Sequence, residues 1–274
     1  MRELGWVEGK NLLVERRYAN GRAELLRPFA EELVRLKVEL IATNGTDAKL
    51  AAKNATTTIP IVIWSAGDPV RTGLVASLAR PGGNVTGYSI VSTELDAKRL
   101  ALLRELLPTA QRVGVLENST NPIFRVKRKE NEPLYRSLGM QTINVEVAAA
   151  NELENALAEM ARRRAQVLVV AADSLFRANR APIMSAALRH ALPTLVEGRD
   201  MLEAGGLLSY AVSLAELNYR HAAFIDKILR GARPADLPIE QPTKFELGIN
   251  LKTAKALGIT IPKTLLLRAD EVIQ

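Results

Sequence analysis

The 274-residue chain contains no cysteine, which excludes disulfides, thiolate nucleophiles and sulfur-ligated metals together and is compatible with any redox compartment. No stretch approaches the ~18 apolar residues of a membrane span, and residues 1–10 lack the apolar core of a signal peptide. Histidine, the usual base for an activated nucleophile, occurs only at His190 and His221. His190 sits near the end of a helical stretch and His221 inside another, so both read as surface or boundary residues away from any strand-end loop. The G-x-S-x-G elbow, the G-x-x-x-x-G-K-[ST] phosphate loop and the G-x-G-x-x-G turn are all missing, so the common hydrolase, NTPase and dinucleotide fingerprints fail. No metal-ligand spacing is present either, and neither a cofactor nor a metal is expected. The chain reads as a binder rather than an enzyme.

What remains is ordinary globular material. A hydrophobic share of 47% and a charged share of 24% argue against disorder and fibrous structure. Lys and Arg outnumber Asp and Glu by 37 to 30, for a net charge of +7. The basic runs Arg162-Arg163-Arg164 and Arg125, Lys127, Arg128, Lys129 lie in helical patterns with acidic residues nearby. With aromatics at 4% there is little to stack on bases, so these runs read as solvated helix faces and no nucleic-acid partner is expected.

The length suits two α/β lobes or one large one. Short β-like runs alternate with amphipathic stretches, the pattern of βα units around parallel sheets. Predicted strands cover residues 12–18, 40–43, 59–65, 85–90, 113–117, 142–147, 167–172, 194–197 and 207–210. Helices are predicted over 24–36, where Leu25, Leu26, Phe29, Leu33 and Leu36 recur at helical spacing, and over 97–107, 152–163 and 214–229.

Four strand ends run into small or polar residues able to open a helix: Asn44-Gly45-Thr46, Ser65-Ala66-Gly67-Asp68, Asn118-Ser119-Thr120-Asn121, and Asp173-Ser174. In open parallel sheets ligands bind outside the carboxyl ends of the strands, and helix starts there suit a carboxylate. For any single loop simple capping is the plainer reading, above all for Asp68 before Pro69 and Asn121 before Pro122. Two such loops in each half of the chain point to a cleft between similar lobes. Asp68 and Asp173 could form a carboxylate pair, but capping is the simpler reading. Among the aromatics near strand ends, Trp64, Tyr88, Phe124, Phe176 and Tyr210, the last is the best cleft candidate because it follows Gly205-Gly206.

Ordered motifs along the whole chain carry a resemblance. They are Gly5-Trp6-Val7-Glu8-Gly9-Lys10-Asn11, Gly67-Asp68-Pro69-Val70, Pro81-Gly82-Gly83-Asn84-Val85-Thr86-Gly87, Glu203-Ala204-Gly205-Gly206-Leu207-Leu208-Ser209-Tyr210 and Asn250-Leu251-Lys252-Thr253-Ala254-Lys255-Ala256-Leu257-Gly258. In combination they resemble the ABC transporter substrate-binding proteins, of the type that includes binders of tryptophan and other aromatic amino acids, built on the type I periplasmic-binding fold. The resemblance implies two doubly wound parallel-sheet lobes joined by three crossovers, lobe 1 being residues 1–107 plus 208–233 and lobe 2 residues 108–207 plus 234–274. It implies a small solute, an amino acid or other carboxylate, held in the interlobe cleft by Asn44, Gly45, Thr46, Ser65, Ala66, Asp68, Asn118, Ser119, Asn121, Asp173, Ser174 and Tyr210. It implies a monomer outside the cytoplasm that hands its solute to a membrane permease. Members of the family carry a signal sequence, a first strand, its loop and most of a first helix upstream of the segment matching Gly5 to Asn11. Met1 falls inside that helix, so the expectation is a truncated or mis-started frame and a first lobe lacking its first strand. The alternatives left open are a ligand-sensing module of a regulator and a racemase-like enzyme.

Overall fold

The computed structural model describes every residue except 65–67 and 91–92, and the side chains of 93, 94, 214 and 215 are also outside the description. In chain order the elements are α1 (Leu26–Arg35), β1 (Ile41–Asn44), α2 (Thr46–Ala55), β2 (Ile61–Trp64), β3 (Val85–Gly87), α3 (Thr93–Leu106), β4 (Arg112–Asn118), α4 (Ile123–Ser137), β5 (Gln141–Val147), α5 (Leu153–Arg162) and β6 (Val167–Val170). There follow α6 (Ser174–Ala178), α7 (Arg180–Arg189), β7 (Thr194–Val196), α8 (Arg199–Glu203), β8 (Leu208–Val212), α9 (Leu214–Leu229), β9 (Phe245–Asn250), α10 (Leu251–Ala256), α11 (Lys263–Leu266) and β10 (Glu271–Ile273). The chain forms two compact units, Met1–Val91 with Ser213–Lys244 and Ser92–Val212 with Phe245–Gln274. No helix of the described residues is long and apolar enough to cross a membrane.

The first unit is built on the parallel sheet β1-β2-β3. Ile41, Ile61, Ile63 and Val85 are buried with Ala52 of α2 and with Leu74, Val75 and Ile239. Strands covered by helices on their faces read as continuous apolar runs, which is why Ile61-Val62-Ile63 was legible as a strand. The Pro81 to Gly87 motif has a structural use. Buried Asn84 donates Nδ2 hydrogen bonds to the carbonyls of Thr56 and Ile59 and accepts one from Lys53, fixing the turn between α2 and β2 against β3. Gly87 adopts φ +127° with Ile63 O only 2.3 Å from where a Cβ would sit, so no other residue fits there.

The second unit holds a larger sheet in the order β10-β9-β8-β7-β6-β4-β5, parallel except where β8 meets β9. Val113, Val167, Leu195, Leu208, Leu247 and Ile249 are buried on one face with helix residues such as Leu103 and Tyr135. The other face is filled by Leu116, Leu168 and Val196 with Leu157, Met160 and Phe176. Strand order reverses between β4 and β6: the chain goes from β4 outward to β5, then returns to lay β6 on the other side of β4.

Three sequence expectations are corrected. Residues 12–18 form no strand, and the nearest pairing is a single bridge between Glu8 and Leu12. Its arginines reach sideways instead, Arg16 to Glu8 and Arg17 to Glu32, and Leu13 and Tyr18 are exposed, so the alternating pattern finds no neighbouring strand to pair with. Strands β9 and β10 were not predicted at all. The contact-defined units also run differently from the predicted lobes. α3 and β8 pack with the second unit because β8 lies between β7 and β9, while residues 234–244 belong with the first, where Ile239 and Glu240 donate backbone hydrogen bonds to Leu78 and Gly87.

Candidate functional site

The predicted loops after β1, β4 and β6 lie at the carboxyl ends of parallel strands, each within its own unit, and of the loop after β2 only Asp68 is described. In the first unit Asn44 ends β1 and is exposed, Gly45 takes φ +88° at the start of α2, and Thr46 is buried. The hydroxyls of Thr43 and Thr46 and the indole N–H of Trp64, the last residue of β2, are buried with no hydrogen-bond partner among the described residues. Buried polar groups are normally satisfied, so unpaired ones gathered at one sheet edge are a place where a ligand's polar atoms can be received. Ser65 and Ala66 lie outside the described residues.

Asp68 behaves as a cap. Its Oδ1 accepts hydrogen bonds from the N–H groups of Val70, at 2.9 Å, and Arg71, at 3.2 Å. Replacing it by alanine is expected to cost about 1 kcal/mol in a urea titration, the usual worth of such a cap. A loss of ligand affinity without that stability change would instead assign Asp68 to the ligand.

His221 departs from its predicted place. It stacks on Trp64, with ring centroids 5.7 Å apart, and its Nε2 lies 3.5 Å from Val62 O. Burial lowers its pKa, opposed by that carbonyl, and thereby favours the neutral ring. It therefore belongs to the strand-end region from which the helical pattern alone had excluded it.

In the second unit the loops after β4 and β6 are sewn together. Asn118 Nδ2 donates to Asp173 Oδ1 at 3.1 Å and Asn121 Nδ2 to Asp173 Oδ2 at 2.9 Å. Asp173 also caps α6 through Leu175 N at 2.8 Å, and the side-chain oxygens of Asn118 and Asn121 accept from Thr120 and Ile123. All three side chains are buried. Their polar atoms are thus largely committed to one another, whereas Ser119 and Ser174 beside them are exposed. Tyr210 lies in the middle of β8 rather than at its end, half-buried and stacked on Phe245 at 5.8 Å. Among the described residues no group of His, Cys, Asp or Glu is arranged to hold a metal, and Asp68 and Asp173 fall in different units.

Sequence reasoning missed a buried ionic cluster beneath these loops, formed by Asp96 and Arg99 of α3, Lys127 of α4 and Glu197 after β7. Lys127 had been read as part of a solvated basic face. Only Arg125 and Lys129 of that run are fully exposed. The available signal was in α3, where Asp96 and Arg99 share the helical stripe of Leu100 and Leu103. Burial alone would raise the Glu197 carboxyl, but Arg99 and Lys127 hold it below the ordinary carboxylate range. Burial would lower Lys127, and Asp96 and Glu197 raise it.

The model of the family described as ABC transporter substrate binding protein matches residues 1–273. A tyrosine-binding protein of Clostridioides difficile is 26% identical over 259 residues, which are 94% of this chain and 74% of that protein. A conserved domain protein of Vibrio cholerae superposes with a TM-score of 0.94 at 26% identity, covering 99% of this chain and 90% of the other. The ABC domain of a Streptococcus pneumoniae protein, solved in complex with L-Trp, does so with a TM-score of 0.90 at 26% identity, covering 97% and 89%.

Proposed function

The chain belongs to the ABC transporter substrate-binding protein family, and from that premise we propose that it is the solute-capturing component of an uptake system, working outside the cytoplasm and delivering an aromatic amino acid to a membrane permease. Its task is capture and release, with no bond made or broken. The observation that carries this reading is the reversal of strand order between β4 and β6, because crevices at such switch points are where open α/β sheets take their ligands. The Asn118 and Asp173 loops flank that point.

In this reading Ser119, Ser174 and Tyr210 of the second unit meet the solute, and Asn118, Asn121 and Asp173 give their loops a fixed shape. In the first unit Asn44, Gly45, Thr46, Ser65, Ala66 and Asp68 contribute, and the unsatisfied Thr46 hydroxyl and Trp64 N–H supply polar contacts. The N-termini of α2 and α4 suit the carboxylate that every amino acid carries. An aromatic side chain follows from the relatives, one a tyrosine-binding protein and another bound to L-Trp.

The test is thermal unfolding against a panel of amino acids and small carboxylates. A ligand at 100 times its Kd stabilises the folded state by about 2.7 kcal/mol, a rise of a few degrees for a chain of this size. L-Tyrosine or L-tryptophan is expected to produce it. If small aliphatic carboxylates move the transition and aromatic amino acids do not, the proposed solute class is wrong.

A further inference from the structure

The buried cluster of the second unit connects two segments that the proposed function assigns to the solute. Arg99 donates from Nε to the backbone carbonyl of Tyr210 at 2.8 Å and from Nη1 to Asp96 at 2.7 Å, and the same Nη1 lies 3.2 Å from Glu197. Glu197 in turn accepts from the backbone N–H of Ala172 at 3.2 Å, and the next residue is Asp173. Lys127 bonds Glu197 at 3.0 Å, and Asn131 donates to Asp96 at 2.9 Å. A continuous polar path therefore runs from Tyr210 through Arg99 and Glu197 to the Ala172-Asp173 turn.

Beside it lies a cavity of about 40 Å³, large enough for a few waters. Tyr135 lines this cavity while almost fully buried.

Stability does not explain a cluster of four charges so largely buried here. Well-packed apolar residues in place of a buried ion pair are commonly as stable or more so. What a planar guanidinium offers is direction, since its fixed fork can hold a carbonyl and two carboxylates in one geometry. We infer that Arg99 and Glu197 are positioning residues that set where the Tyr210 backbone sits relative to the Ala172-Asp173 turn, and so tune solute affinity without touching the solute. This rests on the proposed role of those two segments.

The test compares two charge-balanced double variants. Asp96→Asn with Arg99→Met cuts the link to Tyr210 and leaves Lys127 paired with Glu197. Glu117→Gln with Arg128→Met removes the Arg128–Glu117 pair lining the same cavity, together with the further pairing of Arg128 with Glu146, and touches neither segment. Calorimetric titration with L-tyrosine and L-tryptophan is read alongside backbone amide NMR of residues 172–175 and 210–212 in the ligand-free protein. The first variant is expected to weaken binding by about tenfold or more and to shift the amide signals of both segments, while the second stays within about threefold of the native affinity. Unmoved amides in the first variant, or parallel losses in both that follow their urea midpoints, would overturn the inference. Should the first variant fail to fold, Arg99→Lys keeps the charge but loses the fork, and the same readouts decide. If the native protein binds neither amino acid, the solute reading falls by itself, and the amide shifts alone judge the positioning.

Discussion

Replacing Asp173 by alanine is expected to lower the free energy of unfolding by about 3 to 5 kcal/mol. The carboxylate is buried and accepts from Asn118 Nδ2, Asn121 Nδ2 and Leu175 N, so alanine leaves three donors without their acceptor. Each buried orphan costs about 1–3 kcal/mol, and water entering at the sheet edge recovers part of that. Asp173→Asn, which keeps the shape and one good acceptor, is expected to lose about half as much. Urea denaturation measures both. A loss below about 1 kcal/mol for the alanine variant would mean that the Asn118-Asn121-Asp173 arrangement does not hold the two loops.

The opposite sign is expected at Lys49 in α2. This side chain is wholly buried, and burial alone brings its pKa from 10.5 down to about 7. At about 1.4 kcal/mol for each tenfold change in proton affinity, that displacement corresponds to about 5 kcal/mol. Below pH 7 both folded and unfolded chains carry the proton, and the folded one holds it against the desolvation that lowers its pKa. Between pH 7 and 10.5 the folded state gives up its proton while the unfolded state keeps it, so native stability rises across this window. Lys49→Met removes that slope. Since Lys49 also has a polar contact that methionine loses, the net gain at pH 6 is expected to be about 2 to 4 kcal/mol, shrinking toward pH 10. Thermal denaturation of both proteins from pH 6 to 10 is the measurement. Parallel curves would show that Lys49 titrates normally.

How far the sequence disclosed this structure depends on whether the decisive physics is local. Strands such as 61–64 and 167–170 were legible because both faces are covered and the residues are uniformly apolar. Strand β9 was not, since it carries Glu246 and Gly248 within six residues and breaks both alternation and apolar continuity. Gly248 makes sense only in three dimensions, where a Cβ would come within 2.6 Å of Ser209 Oγ.

The strand-end loops were legible as a set from their cap-like residues. Which of their side chains remain free was not, because that is decided by partners some fifty residues away, as for Asn118 and Asp173. The buried cluster was hidden for a related reason. A sequence shows that Lys127 is charged, but its burial depends on Asp96 and Glu197 being brought to it from two other elements.

The interleaving of the two units along the chain has a consequence for synthesis. When residue 91 leaves the ribosome the first unit still lacks α9, which packs on β2 and β3 and begins at residue 214. At about 5–20 residues per second the missing helix is complete roughly 7 to 28 seconds later, after most of the second unit has been made. Throughout that interval the face of β2 that carries Val62 and Trp64, the latter stacked on His221 of α9 in the finished protein, stands without its helix. The second unit waits in turn for β9 and β10 from the last thirty residues. Neither half can be completed from a continuous stretch of nascent chain. The two halves are therefore completed late and in order, the first once residue 244 has been made and the second only with the last thirty residues, and a chaperone that shields the β2 and β3 surface would have a defined period in which to act.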